Sequence, residues 1–189
     1  MKITFVVLFG ILAILFSSGA WMVGSYYAAY EYGVDSETQI ETRYQNMENI
    51  LGQYGLKVKE VAQVPDMAAD DLSRVVREGM TGRYGENGSQ ATFQWIQENY
   101  PGQVDPSLYK QIQQVMEAGR NEFKNEQTLF LDVKRLYVTT LKNDLPLTKG
   151  WWLKIAGFPK IHLDEYAIIS TSRAKNAFDT KMDEAIQIR

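Results

Sequence analysis

The sequence predicts an all-α fold: an N-terminal transmembrane helix followed by an elongated antiparallel helical bundle. Three observations carry that expectation. Ile3 to Tyr30 runs about 28 residues without a charge. Beyond it, apolar residues recur every three or four positions through Ile40–Val61, and again in a stretch from Pro106 to about Asn143. No stretch alternates with period two over a convincing length. Residues 1–32 therefore read as an anchor, 33–160 as a bundle, and 161–189 as a polar C-terminal segment holding an amphipathic helix.

A bilayer's hydrocarbon core needs about 20 helical residues, and at about 1.5 Å per residue the uncharged run reaches roughly 42 Å. Trp21, Tyr26, Tyr27, Tyr30 and Tyr32 cluster toward its end, where amphipathic rings favour the membrane–water interface. A second reading is a cleaved secretory signal. Lys2 is its positive start, Ile3–Phe16 its apolar core and Ser18-Gly19-Ala20 its cleavage site. The uncharged run continues about ten residues past Ala20, which favours the uncleaved anchor and a lipid bilayer as partner. Lys2 precedes the span and Arg43 is the first positive residue after it, so the charge rule favours a domain outside the cytoplasm. Small residues recur at Ala13, Ser17, Ala20, Gly24 and Ala28. Ala20, Gly24 and Ala28 are the expected face for self-association, although small residues are also common in spans generally.

A net charge of −3 offers no basic face for nucleic acid. Zero cysteines exclude disulfides and thiolate sites, and one histidine excludes multi-histidine metal sites. No metal or cofactor is expected.

After the anchor, Gly33 to Ser36 is expected to loosen the helix. Ile40, Tyr44, Met47, Leu51, Tyr54, Val58 and Val61 then alternate steps of four and three, the spacing of a coiled-coil-like seam. Pro65 ends or kinks that helix, and Asp66 or Asp70 caps the next, which carries Met67, Leu72, Val75, Val76 and Met80. Gly79, Gly82, Gly85 and Gly88 read as a loop, without the Gly-Lys-Ser/Thr ending of a phosphate cradle. Gln90 to Asn99 reads as a short helix stopped by Tyr100-Pro101-Gly102. Pro106 opens the long helix, striped by Leu108, Ile112, Val115, Met116, Gly119, Phe123, Phe130, Val133, Tyr137 and Leu141. In Leu145–Ile161, Trp151, Trp152, Leu153, Ile155, Ala156 and Phe158 interleave with Lys149, Lys154 and Lys160. That suits either a cap on the bundle's end or a segment in the membrane interface, with Trp151 and Trp152 as its anchors. A tail helix is expected from about Ser172, with Ala174, Phe178, Met182 and Ile186 on one face.

The chemistry expected of an enzyme is sparse. His162 adjoins Asp164 and Glu165, but no nucleophile elbow, zinc-binding helix or calcium loop accompanies it. The pairs Asp70/Asp71, Asp164/Glu165 and Asp183/Glu184 are adjacent in sequence, so on a helix their members point about 100° apart and do not converge. A non-enzyme is expected, with no catalytic residue.

The order of features resembles the LemA family of bacterial membrane-anchored helical proteins. The matching points are the N-terminal span, Tyr44-Gln45-Asn46 opening the seam helix, Tyr100-Pro101 before the long helix, and Tyr137 near that helix's end. Pro146, Gly157-Phe158 and Tyr166 follow the family's closing pattern. The family's Tyr-Asn pairs are Phe130-Leu131 and Tyr137-Val138 here, so no role of those asparagines is carried over. Its Leu-Ile-Pro-Asn-Leu run is reduced to Val64-Pro65 and Leu72. The resemblance implies a long helical bundle on the membrane, with no established catalytic centre to carry over. One span, one helical domain and no converging polar cluster lead to the expectation of a scaffold or interaction module for an unidentified protein partner. Two alternatives stand beside it: a spanin-like protein bridging the envelope, and a secreted bundle released after Ala20.

Overall fold

The computed structural model describes residues 2–64, 68–81, 87–103 and 107–168, with side chains from Phe5 onward. These residues form five α-helices: α1 (Lys2–Ala62), α2 (Ala69–Met80), α3 (Gly88–Asn99), α4 (Leu108–Leu141) and α5 (Lys149–Ile155). A single 3-10 turn over Pro101–Gln103 follows α3, and no strand occurs among the described residues. The described residues are all-α, and their helices pack in bundle-like fashion.

Packing divides it into two compact units. The first joins α1 through Thr42 with Phe130–Ala167, which holds the end of α4 and all of α5. Within it Tyr32 pairs with Thr140 at 3.1 Å and Glu37 with Tyr137 at 2.7 Å, so positions rise on α1 as they fall on α4. Lys134 Nζ donates to the Leu163 and Tyr166 carbonyls at 2.8 and 2.6 Å and holds the stretch after α5 against α4. Ile40, Phe130, Tyr137 and Leu153 are wholly buried here.

The second unit is built on Arg43–Leu129. Of the seam residues, Met47, Leu51, Tyr54 and Val58 are buried there, joined by Ile50 and Ala62. Leu72, Val76 and Met80 of α2, Ile96 of α3, and Ile112, Met116 and Phe123 of α4 are buried as well and complete the unit's apolar core. Arg43 pairs with Glu126 at 3.1 Å, and the Tyr54 hydroxyl donates to Glu122 at 2.7 Å.

Several expectations change. The helix does not loosen at Gly33–Ser36; α1 is continuous from Lys2 to Ala62, because Ser36 and Glu37 are buried and Gly33 is a packing contact. A Cβ on Gly33 would lie 2.7 Å from Leu153 Cδ2 and from two atoms of the Phe158 ring. Gly79 and Gly88 belong to α2 and α3 and not to the loop between them, since their bare backbones are where the two helices touch. The N-cap of α2 is Ala68, without a side-chain bond, while Asp70 and Asp71 sit in its first turn and complement the positive end of the helix. The helix read from Gln90 begins two residues earlier, and the long helix runs Leu108–Leu141. Pro65, Asp66, Met67, Gly82, Gly85, Pro106, Asp183, Glu184 and the helix expected from Ser172 lie outside the described residues.

Two helix ends share one device. Gln63 and Gly157 have positive φ, 51° and 80°. After α1, Gln63 N bonds to Glu60 O and Val64 N to Lys59 O; after α5, Gly157 N bonds to Lys154 O and Phe158 N to Leu153 O. Both are Schellman closures, which satisfy the last free carbonyls of a helix. The second also brings Phe158 beside Leu153, the pair that covers Gly33.

Candidate functional site

Phe5 to Val23 is exposed along α1, Gly10 alone being half-buried. This is the one helix among the described residues long and apolar enough to cross a membrane. Its polar side chains are already satisfied: the Ser17 and Ser18 hydroxyls donate to the carbonyls of Ile14 and Leu15 at 3.0 and 2.9 Å. A hydroxyl bonded within its own helix suits surroundings that offer no acceptor. Ala13, Ser17, Ala20, Gly24 and Ala28 are all exposed on this helix.

Just past the apolar stretch an aromatic collar forms inside the first unit. Thr148, two residues after Pro146, caps α5 by accepting from Trp151 N at 3.4 Å. The edge of Trp152 meets the Tyr26 ring at a centroid distance of 5.9 Å, and Tyr30 meets Phe158 at 5.6 Å. Trp151 stands edge-on to Trp152 at 4.6 Å. Lys160 lies 4.5 Å above both the Tyr30 and the Phe158 rings, and Lys149 lies 4.3 Å above Tyr32. Of the six residues singled out as interface anchors, four are therefore brought together: Tyr26, Tyr30, Trp151 and Trp152. Trp21 and Tyr27 remain exposed on α1, with Tyr27 touching Tyr26. Trp152 is 8 % exposed, and its indole N–H has no acceptor among the described residues.

Beneath the collar is a polar hub. Glu37, 6 % exposed, takes two donors on one oxygen: the Tyr137 hydroxyl and the Lys160 backbone N–H, each at 2.7 Å. Tyr137 is fully buried. That burial, reinforced by the Glu37 bond, raises its hydroxyl far above the ordinary tyrosine range. One turn further on, the Tyr166 hydroxyl donates to Glu41 at 3.3 Å. Glu37 escaped the sequence reading, yet a signal was present. Gly33, Glu37, Ile40, Tyr44 and Met47 extend the four-three spacing backward, and a carboxylate on that seam must be buried with partners.

Other candidate groups do not converge. His162, Asp164 and Glu165 are exposed, and the His162 carbonyl accepts from Glu165 N in a turn. Among the described residues no three histidine, cysteine, aspartate or glutamate side chains are placed to hold a metal ion. In the second unit an open groove of about 420 Å³ is lined by Gln90, Phe93, Gln94, Gln97 and Tyr109 and holds no ionisable group except that tyrosine.

Comparison with protein-family models, with characterised proteins and with solved structures returns no match to this chain. What the described residues define is an all-helical fold with one span-length apolar helix among them.

Proposed function

We propose that the protein is a single-pass membrane protein of the cell envelope that works by contact, a scaffold or interaction module resembling the LemA family. The observation carrying this reading is the exposed, uncharged face of α1 from Phe5 to Val23, running unbroken into a packed helical domain. In water such a face is a large exposed apolar surface, which marks a membrane or protein contact. In a bilayer its roughly 28 Å, at about 1.5 Å per residue, fits the hydrocarbon core. Support for a role outside catalysis comes from the use of the polar groups. Glu37, Tyr137, Tyr54 and Glu122 are bonded to one another in pairs that join helices. An active site needs such groups turned toward a substrate.

The test is fractionation of the full chain expressed in bacteria. It should stay in the membrane pellet after alkaline carbonate extraction with an intact mass from Met1, and crosslinking there should capture a partner. A mature N-terminus at Trp21, or release into the supernatant, defeats the anchor. Loss of function on converting His162, Asp164 and Glu165 to alanine, with fold, membrane location and partner capture unchanged, defeats the non-catalytic reading.

A further inference from the structure

The segment from Lys142 to Lys160 has two faces, and packing inside the protein uses one of them. Trp152, Leu153 and Phe158 are buried against α1. Leu145 at 68 %, Leu147 at 46 % and Ile155 at 54 % exposure are left uncovered. Isolated exposed leucines are ordinary on any protein surface. These three fall within eleven residues, with half-buried Trp151 between them, and their place along α1 is fixed. Trp152 rests on Tyr26, which lies three positions beyond Val23, roughly 4.5 Å along the helix axis at about 1.5 Å per residue. Trp152, and with it the segment that bears the uncovered residues, is therefore held against α1 near the level where its apolar stretch ends.

Charge points the same way. The chain carries −3, yet Lys142–Lys160 holds Lys142, Lys149, Lys154 and Lys160 against one carboxylate, Asp144, which is paired with Lys154. Apolar side chains and a tryptophan flanked by lysines match the interface of a bilayer, where acyl chains give way to phosphates.

We propose that Leu145–Ile155 is a second membrane contact, a ledge lying in the interface of the same bilayer that α1 crosses. Leu145, Leu147, Ile155 and Trp151 enter the acyl boundary, and the lysines meet lipid phosphates. The inference rests on the membrane-spanning reading of α1 and adds to it. A lone helix is free to rotate about its axis and slide along it. A ledge bound to the side of that helix fixes both how deep it sits and which of its faces turns toward the lipid surface.

The absence of cysteine makes the test clean. Four single variants of the full chain, Leu12→Cys, Leu56→Cys, Leu145→Cys and Ile155→Cys, replace exposed residues and leave the core intact. Each is spin-labelled and reconstituted into phosphatidylglycerol–phosphatidylethanolamine vesicles, with helix content checked by circular dichroism. Collision with oxygen, which concentrates in lipid, is compared with collision with a water-soluble nickel chelate. Labels at 145 and 155 should follow the label at 12 in favouring oxygen, several-fold over the label at 56. Labels at 145 and 155 that match the one at 56, while the label at 12 still favours oxygen, overturn the ledge and leave the anchor standing. Protection of 145 and 155 from both reagents means a protein covers them and also overturns the ledge. If the label at 12 itself prefers the chelate, the anchor fails and the ledge fails with it.

Discussion

Glu37 shows how much one residue settles. One of its oxygens, Oε1, accepts from a buried hydroxyl of α4 and from a backbone N–H of the stretch after α5, so three segments meet on one acceptor. Glu37→Ala leaves both donors without a partner, at about 1–3 kcal/mol each. Glu37→Gln keeps a carbonyl in the same place and should lose about 1 kcal/mol or less of stability. Denaturant titration of the detergent-solubilised chain separates the two. A glutamine variant as unstable as the alanine one means that charge, and not hydrogen bonding, holds the hub.

The tyrosines add a pH dependence whose sign follows from their environment. Burial and then the Glu37 bond raise Tyr137; the Glu122 bond and then burial raise Tyr54. A raised tyrosine favours the folded state as long as the unfolded chain also keeps its proton. Their contribution is thus fully present below about pH 10, the ordinary value, and declines above it as unfolded tyrosines ionise first. The melting temperature should fall steeply above about pH 10. Tyr137→Phe should flatten that fall while lowering stability at neutral pH by about 1 kcal/mol or more through the lost bond. An unchanged alkaline slope in the phenylalanine variant would remove Tyr137 from the explanation. Trp152 gives the complementary case. Trp152→Phe keeps an aromatic ring on Tyr26 and discards an indole N–H with no acceptor, so its cost should stay within about 1–2 kcal/mol. Trp152→Ala opens a cavity and should cost about 3–5 kcal/mol.

At the scale of elements, α5 is placed by space and by a turn. Gly33 supplies the space, and the Schellman closure at Gly157 supplies the turn that brings Phe158 beside Leu153. Gly33→Leu inserts a side chain where a Cβ alone would already lie 2.7 Å from both partners. It should displace α5 at a cost of about 1–3 kcal/mol, despite leucine's better helix propensity. Limited proteolysis reads this directly, with faster cleavage in Leu145–Phe158 and unchanged cleavage in α2 and α3. Equal protection in variant and parent would show that α5 does not depend on Gly33.

The elements themselves were legible wherever a stripe was long. The seam from Ile40 and the stripe from Leu108 to Leu141 announce helices because a 3.6-residue repeat allows no other burial of one face. Glycine was the weak point. Gly33, Gly79 and Gly88 look like breaks by propensity, yet all three lie inside helices, since what they provide is room for a neighbour. Propensity is worth about 1 kcal/mol at such a site, and tertiary packing exceeds it.

For the molecule as a whole, the proposed membrane anchor rests on the exposed stretch of α1. Arginines at Leu12 and Leu15 together would place two charges at mid-span, at about 2.5–3.5 kcal/mol each. That double variant should leave the carbonate-resistant pellet while the parent stays in it. Full retention of the double variant would mean that something other than this helix holds the chain there.

The sequence by itself determined the all-helical class, the one span-length helix and which face of each long helix is buried. All three follow from local periodicity and from length, which a chain carries before it folds. The aromatic collar was visible only as two separate groups of rings, Tyr26–Tyr30 and Trp151–Phe158, more than a hundred residues apart. Only the tertiary structure decided that Tyr26 meets Trp152, that Glu37 serves both Tyr137 and Lys160, and that three glycines are contacts and not breaks. The physical reason is that such pairings depend on how two helices register against each other. That register is set by steric fit and buried hydrogen bonds summed over the whole interface, and no single stretch of sequence contains it.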